Sequence, residues 1–188
     1  MPDPVERRTP YWPLLVSLLL FVMDQVTKYL AVRFLGPSAP QHSVPLIGSF
    51  LRLTYLENTG VSFGQLQRFS PFISILTLGV VVGMLVGYRR LLTPTRWANT
   101  AVGLVLGGAL GNLADRVVSG LRVGLQNAYV VDFVDVKYYA VFNAADAAIT
   151  IGGIIYGVYL IFFRGRPQDS EPAEEAPCPK EEKRPGGD

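Results

Sequence analysis

Apolar residues run in four long blocks, at 11–34, 71–88, 97–113 and 141–163. Each is close to the roughly 17–25 residues that a helix needs to cross a hydrocarbon core. The pattern predicts transmembrane helices at about 11–33, 71–88, 97–115 and 141–163, within one membrane domain over residues 1–164. The first block is too long for the apolar core of a signal peptide and is not followed by a small-residue cleavage site, so it reads as a retained span. Two segments alternate with period two instead. Phe50-Leu-Arg-Leu-Thr-Tyr-Leu56 predicts a short strand or hairpin, and Tyr129-Val-Val-Asp-Phe-Val-Asp-Val136 a second strand. The expected fold class is an all-α membrane protein, four transmembrane helices with a small extracytoplasmic β-sheet.

Glycines recur every four residues at Gly79, Gly83 and Gly87, at Gly103, Gly107 and Gly111, and at Gly153 and Gly157. Such stripes let helix backbones approach closely, although membrane helices are rich in glycine in any case. Arg7 and Arg8 precede the first span, three arginines lie in the link 89–96, and Arg164 and Arg166 follow the last span. With four spans these sites share a side, which the excess of positive charge marks as cytoplasmic. Residues 165–188 are rich in Pro, Glu, Lys and Gly and are expected to form a disordered cytoplasmic tail.

Composition narrows the chemistry. Apolar residues make up 49% of the 188 and charged residues 17%, less charge than a soluble domain carries. A net charge of +2 with no basic stripe is too small to suggest a nucleic-acid binder. A single cysteine, Cys178, excludes an internal disulfide, and a single histidine, His42, excludes a two-histidine zinc motif within one chain. If the chain hydrolyses anything, carboxylates are its best-suited agents, with no metal or other cofactor.

The placement of polar residues inside the apolar blocks is the most informative feature, because an ionisable group in a span is costly and marks a functional site by default. At about 1.5 Å per residue, Asp24 lies roughly 18 Å into the first span and Lys28 roughly 24 Å. Asn112 and Asp115 lie roughly 22–27 Å into the third, which runs the same way. The fourth runs back, so Asn143 and Asp146 fall within about its first two turns. All converge on the outer half of the bilayer, and Asp132 can fold back onto the same level. Each group also has a plainer reading. Asp24 and Lys28, four apart, suit a structural ion pair. Asp115 with Arg116 suits a polar helix end, Asn143 a helix N-cap, and Gly60 a hairpin turn rather than a close approach of the Asn58 loop. Asp135 reads as solvated on its strand. One shared polar site is a more economical account than separate explanations for so many acids at one depth.

Five motifs appear in order: Asp24-Gln-Val-Thr-Lys28, Asn58-Thr-Gly-Val-Ser-Phe63, Gly107-Gly-Ala-Leu-Gly-Asn-Leu-Ala-Asp-Arg116, Val131-Asp-Phe133 and Phe142-Asn-Ala-Ala-Asp146. In these the chain resembles the lipoprotein signal peptidases, the type II signal peptidases of bacteria, over residues 20 to about 160. The resemblance implies a bacterial inner-membrane aspartic endopeptidase. It would remove the signal peptide from diacylglyceryl-modified prolipoproteins by cutting before the lipidated cysteine. It implies that Asp132 and Asp146 are the catalytic pair. Asp24, Asn58, Asn112, Asp115, Arg116 and Asn143 match positions that line or support the family's site, and Lys28 and Gly60 join them from the reading of the residues. The expected partners are the lipidated precursor and membrane lipids, with no need for more than a monomer. Two carboxylates held close in a low-dielectric site cannot both ionise easily, so one keeps a proton and the pair supplies a base and an acid together.

Two other classes stay open at this point. A cation-coupled transporter also uses intramembrane acids, but it usually shows internal repeats, and none is visible here. In a membrane scaffold the acids would be structural pairs.

Overall fold

The computed structural model describes residues 9–60 and 70–164. In chain order the elements are helix α1 (Trp12–Leu35), strands β1 (Ser43–Ile47) and β2 (Leu51–Asn58), and helices α2 (Ser70–Val86), α3 (Tyr88–Leu91) and α4 (Arg96–Val123). A 3₁₀ turn (Leu125–Asn127), strand β3 (Val130–Val136) and helix α5 (Ala144–Phe162) complete it.

The helices are inside out by the standards of a soluble protein. The buried face of α1 carries Pro13, Ser17, Leu20, Asp24, Lys28, Ala31 and Leu35, at steps of three and four. Its outer face exposes Leu15, Leu18, Leu19, Val22, Met23 and Val26. Polar groups inward and aliphatic groups outward is the arrangement a lipid solvent selects. Among the described residues, α1, α4 and α5 are long and apolar enough to cross a membrane. Helix α2 occupies the expected second span but is 17 residues long, about 25 Å, against a core of about 30 Å.

Helix α4 lies at the centre, packed on α1, α2 and α5. A Cβ on Gly103 or Gly107 would meet the backbone oxygens of Pro13 and Ser17 at 2.5 and 2.6 Å, so this stripe seats α4 directly on α1. The other two expected stripes meet no neighbour among the described residues: Gly79, Gly83, Gly153 and Gly157 have nothing within 4 Å of an added Cβ. On α5 the close approach is made by Gly152, whose Cβ would lie 2.8 Å from the Ala101 oxygen. Helix α4 also runs on to Val123, past the expected end near 115. Nothing in residues 116–123 breaks a helix, and the run stops at Gly124, whose φ of +87° suits a residue without a Cβ.

The strands form an antiparallel sheet in the order β1-β2-β3. Strands β2 and β3 are the two expected from alternation, and β1 completes the hairpin through a turn closed by Phe50 N–H donating to the Ile47 oxygen at 2.9 Å. A register shift between Leu53 and Leu56 brings Leu56 opposite Asp132. Past β3 the chain turns at Tyr138 and returns, and Val134 and Phe142 exchange backbone hydrogen bonds at 2.8 and 3.1 Å. That return delivers Asn143, the N-cap of α5, beside β3. The single histidine finishes α1: His42 Nδ1 lies 3.1 Å from both the Leu35 and Gly36 oxygens, where it can donate to a carbonyl at the helix end. The tail 165–188, with Cys178, and residues 61–69 lie outside the described residues.

Candidate active site

Two layers of polar side chains fill the space between α1, α4, α5 and β3. The lower layer is an ion cluster. Lys28 and Asp24 share a face of α1, four residues apart, and Lys28 Nζ lies 2.8 Å from Asp24 Oδ2 and 3.0 Å from Asp115 Oδ2. Its third contact is a hydrogen bond of 2.9 Å to Asn112 Oδ1. The three ammonium donors thus have three acceptors at good distances. Asp24 is fully buried and Lys28 is 3% exposed, so these charges persist through one another rather than through water. The acids also hold backbone. Asp24 Oδ1 accepts from Ala145 N–H in the first turn of α5 at 3.0 Å, and Asp115 Oδ2 from Val131 N–H on β3 at 3.1 Å. The cluster therefore clamps the two segments that carry the upper layer.

The upper layer is built around Asp132 and Asp146. Side chains alternate along a strand. With Leu56 opposite Asp132, Asn58 two residues on returns to the same face and donates through Nδ2 to Asp132 Oδ2 at 2.7 Å. Asp146 is the third residue of α5 and completes a capping box: its N–H donates to Asn143 Oδ1 at 2.9 Å, and its Oδ2 accepts from Asn143 N–H at 3.3 Å. Asn143 then reaches the other acid, with Nδ2 donating to Asp132 Oδ1 at 2.6 Å. One asparagine thus bonds both carboxyls, the first through its side chain and the second through its backbone. Asn112 ties the layers together, donating to Asp146 Oδ1 at 2.8 Å while accepting from Lys28.

Asp132 sits on β3, outside the helices, with no exposed surface. Burial pushes its carboxyl up from 3.8 to about 6. The hydrogen bond from Asn58 opposes this, the negative charge of Asp146 adds to it, and Asn143 and Lys28 oppose it more weakly.

Both acids face a cavity of about 380 Å³, a size that accommodates a short extended peptide or a drug-sized ligand. One wall is polar, formed by Asn58, Asn112, Arg116, Asp132 and Asp146, and the other is apolar, with Ile73, Leu76, Val80, Val105 and Ile149. Arg116 is 6% exposed, and its hydrogen bond to the Ala128 oxygen is long, at 3.4 Å. No carboxylate lies within ion-pair distance of it among the described residues. Gly60 has a φ of +109°, and an added Cβ would collide with Ile73 and lie 3.3 Å from Arg116 Nη2. Its N–H donates to Asn58 Oδ1 at 2.8 Å, which turns the Asn58 amide toward Asp132.

The structure brings together every residue expected from sequence: Asp24, Lys28, Asn58, Gly60, Asn112, Asp115, Arg116, Asp132, Asn143 and Asp146. Some plainer readings change. Asp115 and Arg116 are not a helix end, because α4 continues for two more turns. Gly60 makes a close approach rather than a hairpin turn, because β2 pairs back through β1 and β3. Asp135 accepts from Thr54 Oγ1 at 3.2 Å. Asn143 is an N-cap, as expected, and a member of the site as well. The motif that begins at Asn58 continues into 61–63, outside the described residues. Sequence reasoning missed Gln25, whose Nε2 donates to Asp115 Oδ1 at 3.1 Å and reaches Asp24 Oδ2 and the Gly111 oxygen at 3.3 Å. Its position beside Asp24 within an apolar block was the available signal.

A family model described as "Signal peptidase (SPase) II" matches residues 16–162. A lipoprotein signal peptidase of Caldanaerobacter subterraneus subsp. tengcongensis is 44% identical over 153 residues, 80% of this chain and 95% of the relative. One of Moorella thermoacetica is 40% identical, covering 85% and 98%. Among solved structures, a bacterial membrane enzyme superposes with a TM-score of 0.68 at 27% identity, over 85% of this chain and 93% of that one.

Proposed function

The chain belongs to the signal peptidase II family, and from that premise we propose that it is a membrane aspartic endopeptidase acting on diacylglyceryl-modified prolipoproteins. It removes the signal peptide by cutting before the lipidated cysteine. The observation that carries the aspartic assignment is Asn143, which bonds Asp132 Oδ1 and Asp146 Oδ2 at once on the polar wall of the cavity. Two carboxyls tied to one residue, at the first turn of a helix and the middle of a strand, support a reading in which an acid and a base act on the same scissile bond.

The reaction follows from that pair. One carboxylate takes a proton from a water, which attacks the scissile carbonyl. The protonated partner polarises the carbonyl oxygen and then protonates the leaving amine. The proton belongs to the pair. Asn58 and Asn143 hold Asp132, and Asn112 and the capping box hold Asp146. The guanidinium of Arg116 positions substrate backbone across the polar wall, and the apolar wall with the adjoining lipid takes the acyl chains.

The membrane placement belongs to the same reading. The short α2, extended by Gly87 and α3, completes a fourth crossing, with Arg89 and Arg90 snorkelling to the interface. Both termini are then cytoplasmic, and the dyad lies near the extracytoplasmic face of the inner membrane, at the depth of a lipid-anchored cysteine. A monomer suffices.

The test is cleavage of a synthetic lipidated precursor by the purified protein in detergent, with and without a chelator. A product whose mass ends just before the modified cysteine, formed equally in both conditions and absent with the unlipidated peptide, is expected. Loss of turnover on chelation would count against an all-carboxylate mechanism.

The pH dependence has a definite sign. The free enzyme needs a proton on the pair, in which the Asp132 carboxyl is raised to about 6. Accordingly kcat/KM should fall as pH rises through about 6, tending to tenfold per unit. The alkaline limb of kcat should lie higher, because bound substrate excludes water and favours the neutral acid further. Stability follows the same group. A carboxyl raised in the fold contributes stability that is present below its unfolded pKa of 3.8 and is lost as pH rises to about 6. An alkaline limb of kcat/KM near pH 9 would contradict this.

A further inference from the structure

At the end of the bundle away from the dyad, a second cavity of about 300 Å³ opens between α3, the link to α4, and the last turns of α5. It is lined by Arg90, Thr93, Tyr156, Tyr159 and Arg164, among others. Tyr159 is thirteen residues along α5 from Asp146, which places this cavity about 20 Å away, in the opposite leaflet.

Its walls are fixed. Tyr156 Oη donates to the Leu91 oxygen at 2.9 Å and pins the end of α3 to α5. Asn99, 4% exposed, holds the link. It accepts from Thr93 N–H at 2.7 Å and donates to the Thr93 oxygen at 2.9 Å. Trp97 packs edge-on against Tyr159 and Phe163, with ring centroids 5.7 and 5.5 Å apart. Rings of this kind with a polar tip settle at the headgroup level of a bilayer. Arg90 and Arg164 have no carboxylate within ion-pair distance among the described residues, and both are exposed. Just below them Ile161, Phe162 and Val158 face outward, where acyl chains lie.

We propose that this cavity binds the phosphate headgroup of an anionic phospholipid of that leaflet, held between Arg90 and Arg164, with the chains lying along α5. A guanidinium pair recognises a phosphate oxyanion by charge-assisted hydrogen bonds, and a preformed pocket at headgroup depth presents them to a lipid rather than to a passing solute. The site takes no part in the chemistry at the dyad.

The experiment uses the full chain with Trp12→Phe, so that Trp97 is the remaining tryptophan, in phosphatidylcholine vesicles. A minor fraction of the lipid carries brominated chains, on either phosphatidylglycerol or phosphatidylcholine. A charge-assisted hydrogen bond from a guanidinium held in the cavity is worth roughly tenfold or more, so quenching by the phosphatidylglycerol should be favoured by at least about tenfold in apparent affinity. The preference should survive excess inorganic phosphate and be lost in Arg90→Gln/Arg164→Gln. It should persist in Arg89→Gln/Arg96→Gln, which removes the same charge from the same end outside the cavity. Precursor cleavage should be unchanged in both double variants. Equal quenching by the two lipids would overturn the proposal. So would equal loss in both double variants, which would mean a general surface charge. Abolition by inorganic phosphate would overturn it too, since the occupant would then be the free anion.

Discussion

Replacing either Asp132 or Asp146 by Asn should lower kcat for precursor cleavage by at least about 10³-fold, because each substitution removes a proton-transfer group from a pair that works only together. The fold should survive. An amide at 132 keeps an oxygen to accept from Asn58 or Asn143, and one at 146 keeps an acceptor for Asn112 or for Asn143 N–H. The loss of one charge-assisted bond costs about 1–3 kcal/mol, offset at position 132 by relief of a carboxyl that burial already disfavours. Thermal unfolding in detergent should therefore shift by a few degrees, while turnover is lost and the lipidated peptide still binds. Variants that lose turnover only as far as they lose folded protein would count against a chemical role.

The second large effect is on stability. Lys28→Met should destabilise the fold by about 3–5 kcal/mol, the cost of leaving buried acids without their cation. Asp24 and Asp115 both lie within 3.0 Å of Lys28 Nζ, and methionine fills the volume without the charge. The damage should spread to catalysis, because Asp24 holds Ala145 N–H and Asp115 holds Val131 N–H. Repulsion between the two acids would disturb both segments that carry the dyad. Adding Asp24→Asn to Lys28→Met should restore part of the stability, since it removes one orphaned charge. The comparison is of unfolding midpoints for the single and double variants. A single variant as stable as the parent would show that the cluster is solvated and not a clamp.

Much of this was legible in the chain because a membrane punishes misplaced polarity. Asp24, Lys28, Asn112, Asp115, Asn143 and Asp146 interrupt apolar blocks at one computable depth, so helix rise alone brings them together. The cap role of Asn143 was legible from its place before an apolar run, and β2 and β3 from alternation. The failures have physical causes as well. Helix α4 passes its expected end because length was judged by hydrophobicity, whereas residues 116–123 are amphipathic and pack their inner face on the sheet connection: Ser119 Oγ accepts from Tyr129 N–H at 2.8 Å. Equal glycine spacing did not say which stripe would be used. Among the described residues, the one whose face also carries Gly111, against Asp24, is the one that meets a partner helix. Gln25 has neither a charge nor a helix-end position to single it out beside Asp24, although a buried amide needs partners as much as an acid does. The bridging role of Asn143 depends on how the chain returns from β3 through Phe142, a turn that no local pattern specifies.

The most direct measurement is the kcat of Asp132→Asn/Asp146→Asn beside the two single variants, at equal amounts of folded protein. Two groups that form one acid–base unit lose their function once, so the double variant should be within about tenfold of either single one. Losses that multiply across the two positions, or a double variant that still turns over near the parental rate, would contradict a shared catalytic site at Asp132 and Asp146.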